Sequence, residues 1–424
     1  MPSIDDIART FESATRTLSL AGRTVLPLDT NPVSSEWNHI TKIDPEEEKK
    51  LPLLFPLYLQ HTGALEVGGS RDVTGENTEQ TLELVAGRPR PAIQEPSGVR
   101  QVTERTREQA DYFAVPQVLN GDTEAIVGTL GSGIEYLREE LGPEYLSDKL
   151  PIPLGNGLER RVVSLFSAWT LQEAVFEAYI IMNVDSAAAR EAAVTEDDLL
   201  SPRVAKQRAM VAETVFESEI VYLEYSGTFG GEEAVDILDE ISDALSWSRL
   251  WYGGGLDSRE NVEAVLEAGA DAVVVGNVFH EIAEEEADLC ADAVEALPVD
   301  ATRGDVEDWL SDACDVGETS AAEYLSTIPS LSNPTARARE YLVATIEAAL
   351  ALEGLASDLD GEVTNEAALA AALDRREELP GGVELETVLD GDEQSFPREL
   401  VTGLLAERLD LDAETLPIEH ISVA

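Results

Sequence analysis

Three apolar runs in this chain end in glycines and small polar residues: Tyr222-Leu-Glu-Tyr-Ser-Gly-Thr-Phe-Gly230, Tyr252-Gly-Gly-Gly-Leu256 and Val273-Val-Val-Gly-Asn277. Such a run suits a strand buried on both faces, and a glycine at its carboxyl end lets backbone N–H groups approach a ligand closely. Gly253, Gly254 and Gly255 at one strand end, and Gly276 with Asn277 at the next, each precede a helical pattern whose positive end favours an anion. That is the chemistry of a phosphate cradle. Lys42 and Asp44, in Trp37-Asn-His-Ile-Thr-Lys-Ile-Asp-Pro45, stand two residues apart and share one face of a strand. A salt bridge between them is one reading. The other is a site for an anion, in which Lys42 supplies a mobile point charge and Asp44 suits a Mg²⁺ that bridges to phosphate. In Glu66-Val-Gly-Gly-Ser-Arg-Asp72, Gly68 and Gly69 permit close approach, and the Ser70 hydroxyl suits the metal shell or the phosphate. Tyr222 and Glu224 also share a face, which makes Glu224 a candidate base toward a substrate hydroxyl.

These side chains need a scaffold that brings many strand ends to one place. Strand patterns fall at His39–Ile43, Ala64–Gly68, Pro91–Glu95, Tyr112–Gln117, Tyr179–Met182, Ile220–Tyr225, Leu250–Tyr252 and Ala272–Val275. Between most of them lie amphipathic helical patterns such as Glu233–Leu245 and Arg259–Gly269, with Gly269 placed as a stop. Strands alternating with such helices pair in parallel, and eight units predict an α/β fold of the TIM (β/α)8 barrel type. An open doubly wound sheet fits less well, because it gathers its site at one switch point. The expected organisation is an N-terminal extension over 1–36, the barrel over 37–297 and an acidic helical C-terminal domain over 298–424. A helical insertion at about 125–175 separates the fourth and fifth strands, with helices expected at Ile134–Leu141 and Arg161–Trp169 that suit a cover for the barrel mouth or a subunit contact. The tail carries helical patterns at Val306–Ala313, Ala336–Leu355, Asn365–Arg375 and Pro397–Leu409.

Composition sets the conditions. The chain holds 84 acidic and 29 basic residues for a formal charge of -55, with lysine at positions 42, 49, 50, 149 and 206 alone. Such a chain repels nucleic acid and, at modest ionic strength, itself. Acid enrichment with lysine depletion points to a high-salt cytoplasm, where the screening length falls to roughly 3 Å. An acidic disordered chain is excluded by 43% hydrophobic residues in periodic runs. No run approaches the length of a membrane span, and the first residues lack the pattern of a signal peptide, so a soluble intracellular protein is expected, with room only for peripheral membrane contact. Cys290 and Cys314 read as small packed hydrophobes. His39, His61, His280 and His420 are too scattered for a metal site and read as packing or surface, and the Glu46-Glu-Glu and Glu284-Glu-Glu runs read as hydrated faces.

Taken in order, His39-Ile-Thr-Lys-Ile-Asp-Pro45, Val67-Gly-Gly-Ser70, Pro116-Gln-Val-Leu-Asn120, Tyr179-Ile-Ile-Met-Asn183, Tyr222 to Gly230, Tyr252 to Leu256 and Val275-Gly-Asn277 resemble the geranylgeranylglyceryl phosphate synthases and their PcrB relatives. The resemblance runs from about Trp37 to Leu297 and marks the chain as an enlarged haloarchaeal member. It implies a TIM barrel that joins a prenyl diphosphate, geranylgeranyl first of all, to the sn-3 hydroxyl of sn-glycerol 1-phosphate, the first ether bond of archaeal membrane lipids. It further implies Mg²⁺ held by Asp44 and Ser70 for the donor. Lys42, Tyr222, Glu224, Ser226, Gly227, Gly253, Gly254, Gly255, Gly276 and Asn277 would hold glycerol 1-phosphate, with Glu224 and Lys42 as the catalytic pair. A prenyl groove is expected beside Tyr112, Phe113 and the inserted helices, and a homo-oligomer is expected. Two alternatives stand beside this reading: a phosphate-binding paralogue with another donor, and a catalytically silent scaffold or regulatory protein.

Overall fold

The computed structural model describes residues 29–45, 50–69, 73–87, 89–122, 125, 128–149, 156–172, 174–376, 378–389 and 395–424. Residues 1–28, the Glu46-Glu-Glu run and Ser70 lie outside the described residues. Eight parallel strands, β1 His39–Ile43, β2 Ala64–Val67, β3 Ala92–Gln94, β4 Tyr112–Val118, β5 Val175–Ile181, β6 Ile220–Glu224, β7 Arg249–Gly253 and β8 Ala272–Val275, close into one barrel in chain order. The TIM barrel read from the sequence is the fold. β5 starts four residues before its expected first residue, because Glu177 and Phe176 continue the ladder to β4 and β6.

Side chains alternate between two apolar layers, as the period of a strand requires. Ile40, Ala64, Ile93, Tyr179, Tyr222, Trp251 and Val274 fill the barrel interior, whereas Ile43, Leu65, Val67, Ile180, Leu223, Tyr252 and Val273 pack outward beneath the helices. The outward layer is covered by helices such as Gly231–Ser242, Arg259–Glu267 and Asn277–Ala296. Gly269 stops the second of these with φ +101°, a conformation that favours glycine. The insertion runs as a helix over Thr129–Tyr136, a π turn over Leu137–Leu141, and helices over Gly142–Lys149 and Asn156–Gln172.

Among the described residues the first barrel connection holds one short helix, Phe55–Leu59, and residues from beyond Pro298 reach the outer face of β1. Thr41 Oγ1 bonds the Tyr324 hydroxyl at 2.8 Å, and the buried His39 bonds Thr62 at 2.9 Å through Nδ1 and Thr327 at 3.0 Å through Nε2. Burial pushes the His39 imidazole down to about 3, so it is neutral. The helices Arg303–Ala313, Pro334–Leu359, Glu366–Leu373 and Phe396–Arg408 appear near their expected bounds and Ser320–Ser326 is a helix that was not expected, but the tail expected to form a domain of its own shares one apolar core with the barrel helices. Its last residues pair with the first connection, with Leu51 N–H donating to His420 O at 3.1 Å and Ser422 N–H to Leu51 O at 2.9 Å.

Glu286 corrects the reading of the Glu284-Glu-Glu run as a hydrated face. Its side chain is buried, and its Oε1 accepts the Leu53 N–H and the Ser422 hydroxyl, both at 2.6 Å, tying the last barrel helix to the first connection and to the chain end. Burial raises its carboxyl to about 7, against the smaller lowering by these two donors. A carboxyl raised in the folded state binds a proton that the unfolded chain has lost, so stability falls as pH rises from about 4.5 through about 7. Glu286→Gln keeps an acceptor without the titration. Denaturant unfolding at pH 5 and pH 8 in high KCl should show the variant losing less stability over that interval than the parent, by up to roughly 3 kcal/mol.

Candidate functional site

The carboxyl ends of the strands open into one cavity of about 840 Å³. Lys42, Asp44, Tyr222, Glu224, Ser226, Gly227, Gly253, Gly254, Gly255, Gly276 and Asn277 all line it. The structure thus brings together every expected site residue that it describes. Ser70 lies outside the described residues, although its neighbour Gly69 is on the wall.

The side of the cavity that carries the glycine turns is built by backbone. Gly254 and Gly255 adopt φ +142° and +55°, which favour glycine, and a β-carbon on Gly254 would lie 2.5 Å from the Tyr225 carbonyl. The turn is locked to the neighbouring strand end by Tyr225 N–H donating to Gly253 O at 2.7 Å and by Gly230 N–H donating to the Tyr252 hydroxyl at 3.0 Å. Beside it starts the 20-residue helix Asn277–Ala296, whose N-cap Gly276 offers no side-chain acceptor; Phe279 N–H donates to Gly276 O at 2.8 Å, which leaves the N–H groups of Asn277 and Val278 to face a ligand or water.

The opposite side is a charged layer that the sequence reading did not foresee. Lys42 does not pair with Asp44. Its Nζ donates to Glu66 Oε1 at 2.6 Å and Glu95 Oε2 at 2.5 Å. Tyr179 donates to Glu95 Oε1 at 2.6 Å, lies 3.4 Å from Glu177 Oε2, and stacks on Tyr222 with ring centres 4.5 Å apart. The signal was present: Glu66, Glu177 and Glu224 are single carboxylates inside otherwise apolar strands. The β1–β2 register sets Lys42 directly opposite Glu66, a pairing that needs the three-dimensional partner to be seen. Asp44 is positioned from behind, its N–H donating at 3.2 Å to Nε2 of the buried His280.

Five carboxylates, Asp44, Glu66, Glu95, Glu177 and Glu224, surround one ammonium. Burial alone would lower the Lys42 ammonium, but Glu66 and Glu95 hold it well above the ordinary lysine range. Burial would raise Glu95, yet Lys42 and the Tyr179 hydroxyl bring it below its usual value, so it is the ionised partner. Burial lifts Glu66 to about 8 despite Lys42, and burial with repulsion from Glu66 and Glu95 lifts Glu177 well above the carboxylate range. Both are neutral acids near pH 7, which fits Glu66 Oε2 and Glu177 Oε1 being buried without a hydrogen-bond partner among the described residues. Glu224 is also raised by burial, against Lys42 and the bonds from the Ser226 N–H and hydroxyl. Tyr179 and Tyr222 are pushed well above 10, by burial first and by Glu95 and Glu224 respectively, and stay protonated.

Among the described residues no three His, Cys, Asp or Glu side chains converge as a ready metal cage. Asp44, at the end of β1, offers a hard oxygen ligand toward the cavity, which fits an ion that takes one or two carboxylates and completes its shell with water and substrate phosphate, as Mg²⁺ does. The cavity wall also includes Pro116, Val118, Ala125, Ile181, Ala187 and Ala188, beside Asp185, Arg190 and Glu191. Tyr112, expected beside a prenyl groove, packs edge-on against Trp37 instead, and neither it nor Phe113 is on the cavity wall.

A family model described as the PcrB family matches residues 33–295. The chain belongs to the PcrB family. Its relatives include the geranylgeranylglyceryl phosphate synthases of Methanocella arvoryzae, 30% identical over 58% of this chain and 91% of that protein, and of Natronomonas pharaonis, 32% identical over 62% and 95%. The heptaprenylglyceryl phosphate synthase of Listeria innocua is 30% identical over 58% of this chain and 93% of its own. The family match contains all eight strands and stops before the tail helices.

The two glycine positions of this PcrB site differ in what they tolerate. A β-carbon on Gly253 would collide with the Tyr222 hydroxyl, whereas one on Gly276 would meet Lys42 Cβ at an ordinary 3.5 Å. Gly253→Ala is expected to shift the Tyr222–Tyr179 stack and cost roughly 1–3 kcal/mol, while Gly276→Ala stays within about 0.5 kcal/mol of the parent. Thermal unfolding with near-ultraviolet circular dichroism checks both; equal stability of the two variants contradicts the placement.

Proposed function

We propose that this chain is a prenyltransferase that joins a prenyl diphosphate to the sn-3 hydroxyl of sn-glycerol 1-phosphate. The observation that carries the proposal is the meeting, in one cavity of a PcrB-family barrel, of two backbone anion sites with Lys42, Asp44 and Glu224. The names of the relatives support it, and they differ in the prenyl group, geranylgeranyl in two and heptaprenyl in the third. The apolar wall residues Pro116, Val118 and Ile181 suit contact with the chain of such a donor, with geranylgeranyl as the first to test.

In this reading the acceptor phosphate lies on the Gly253–Gly255 turn and the Gly276–Asn277 helix start, and Tyr222, Ser226 and Gly227 hold the glycerol. Glu224 accepts the proton of the attacking hydroxyl, its raised carboxyl being a stronger base than an exposed one. The hydroxyl oxygen forms a bond to the allylic carbon as the bond from that carbon to the diphosphate oxygen breaks, and diphosphate leaves with the electron pair. Mg²⁺, bound by Asp44 with Ser70, would supply positive charge for the diphosphate. Lys42 contributes a second positive charge, and the neutral forms of Glu66 and Glu177 limit the repulsion that two anionic substrates meet. The acid-rich composition supports a protein that works in the high-salt interior of a cell.

The test is incubation in molar KCl with Mg²⁺, sn-glycerol 1-phosphate and geranylgeranyl diphosphate, with mass-spectrometric detection of the ether. Product is expected, with Glu224→Gln lowering kcat by roughly 10²–10⁴. Asp44→Asn should abolish the response to Mg²⁺ while glycerol 1-phosphate binding, followed by calorimetry, persists. A folded protein that neither forms the ether nor binds glycerol 1-phosphate overturns the proposal; binding without product moves it to a different donor.

A further inference from the structure

The family match ends at residue 295, yet the segment 319–331 beyond it touches each of the three barrel units that build the anion site. In the β7 unit, Arg259 opens the helix Arg259–Glu267 that follows the Gly253–Gly255 turn. It donates through Nη1 to Pro329 O at 3.1 Å and through Nη2 to the Ile328 and Leu331 carbonyls, both at 2.8 Å. In the β8 unit, Glu285 of the helix Asn277–Ala296 accepts the Ser320 N–H at 2.7 Å. On β1, Thr41 Oγ1 shares its 2.8 Å hydrogen bond with the Tyr324 hydroxyl.

Tyr324 stands where two of these units meet. Its fully buried ring lies 4.9 Å, centre to centre, from that of Phe279 in the first turn of the helix Asn277–Ala296. The residue after Phe279, His280, accepts the Asp44 N–H. On the strand side, Thr41 pairs with Val275 across β1 and β8. The next residues of the two strands, Lys42 and Gly276, are close enough that a β-carbon on Gly276 would lie 3.5 Å from Lys42 Cβ. One tail side chain thus contacts both the residue before Lys42 and the turn that presents the Asn277 and Val278 N–H groups. Covering β1 needs only apolar area, which a leucine would supply. A buried hydroxyl is stable only with a partner, so the bond to Thr41 fixes direction as well as area.

We propose that Tyr324 is a positioning residue for the anion site, setting the place of Lys42 relative to the helix start at Gly276–Asn277 through Thr41 and Phe279. The proposal rests on the reading that the acceptor phosphate lies on that helix start. Phosphate affinity is then a property of barrel and tail together, because an anion held between two elements is sensitive to their separation.

Calorimetric titration of the full chain in 2 M KCl with sn-glycerol 1-phosphate and, separately, inorganic phosphate tests this, with thermal unfolding measured alongside. Tyr324→Phe and Thr41→Val each remove one side of the bond and should raise both dissociation constants roughly 3–10-fold, with the double variant doing no more than either alone. Ser422→Ala removes a buried tail hydrogen bond to Glu286, between residues that are not on the cavity wall, and should lower the unfolding temperature without moving either constant. Single variants that bind as the parent does overturn the positioning role and leave the proposed function standing. An equal loss of affinity in Ser422→Ala also overturns it, by tracing the effect to stability. A parent that binds neither ligand overturns the reading of the anion site, and this proposal with it.

Discussion

A strand in a closed parallel barrel must be covered on both faces, and β1 is where that requirement shapes the whole molecule. Inward it carries Ile40 and Lys42, outward His39, Thr41 and Ile43. Among the described residues the following connection supplies only the short helix Phe55–Leu59, and Tyr324 and Thr327 cover the outer face from nearly three hundred residues later in the chain. Fixing the outer face of β1 also fixes its inner face, because the two alternate along one backbone. The tail is thereby coupled mechanically to Lys42, though it touches none of the proposed chemistry except where Glu323 reaches the cavity wall.

That inner face creates the second constraint. One ammonium among five carboxylates in a buried layer cannot remain fully ionised, since each unpaired buried charge costs several kcal/mol. The barrel resolves this by division: Glu95 pairs with Lys42 as an anion, while Glu66 and Glu177 keep their protons. Tyr179 joins the two halves by donating to Glu95 beside Glu177, and its stack on Tyr222 carries the arrangement to the acceptor side. The charged layer and the glycine turns are thus one rigid unit, in which the place of the Gly253 backbone depends on where Tyr222 stands.

Most of the barrel was legible in the sequence because its signals are local. Apolar runs ending in glycine at β6, β7 and β8 mark strand and turn within a few residues, and φ at Gly254, Gly255 and Gly269 agrees with what those glycines imply. Side-chain partners were less legible, because they are set by register and not by spacing. Lys42 and Asp44 share a strand face, yet the carboxylates that Lys42 pairs with, Glu66 and Glu95, come from the next two units of the barrel. Glu286 was misread for a related reason: its place in an acidic run suggests solvent, and only the return of the chain at Ser422 shows that it is enclosed. The tail helices were found by period, but period is silent on what a helix covers, and no local signal links Tyr324 to Thr41.

The same reasoning explains how so acidic a chain can present a site for anions. At low ionic strength 84 carboxylates would create a field that excludes phosphate from every surface. At molar salt the screening length is roughly 3 Å, and only groups in direct contact with a ligand still act on it. The Gly253–Gly255 turn and the helix start at Gly276 line the cavity with backbone N–H dipoles, which do not titrate. Asp257, Glu281 and Glu323 line the same cavity and at that ionic strength act only on what they touch. Glycine turns and a helix start add no further charge to a wall that already carries several carboxylates, and Lys42 is the one lysine among the described residues that line it.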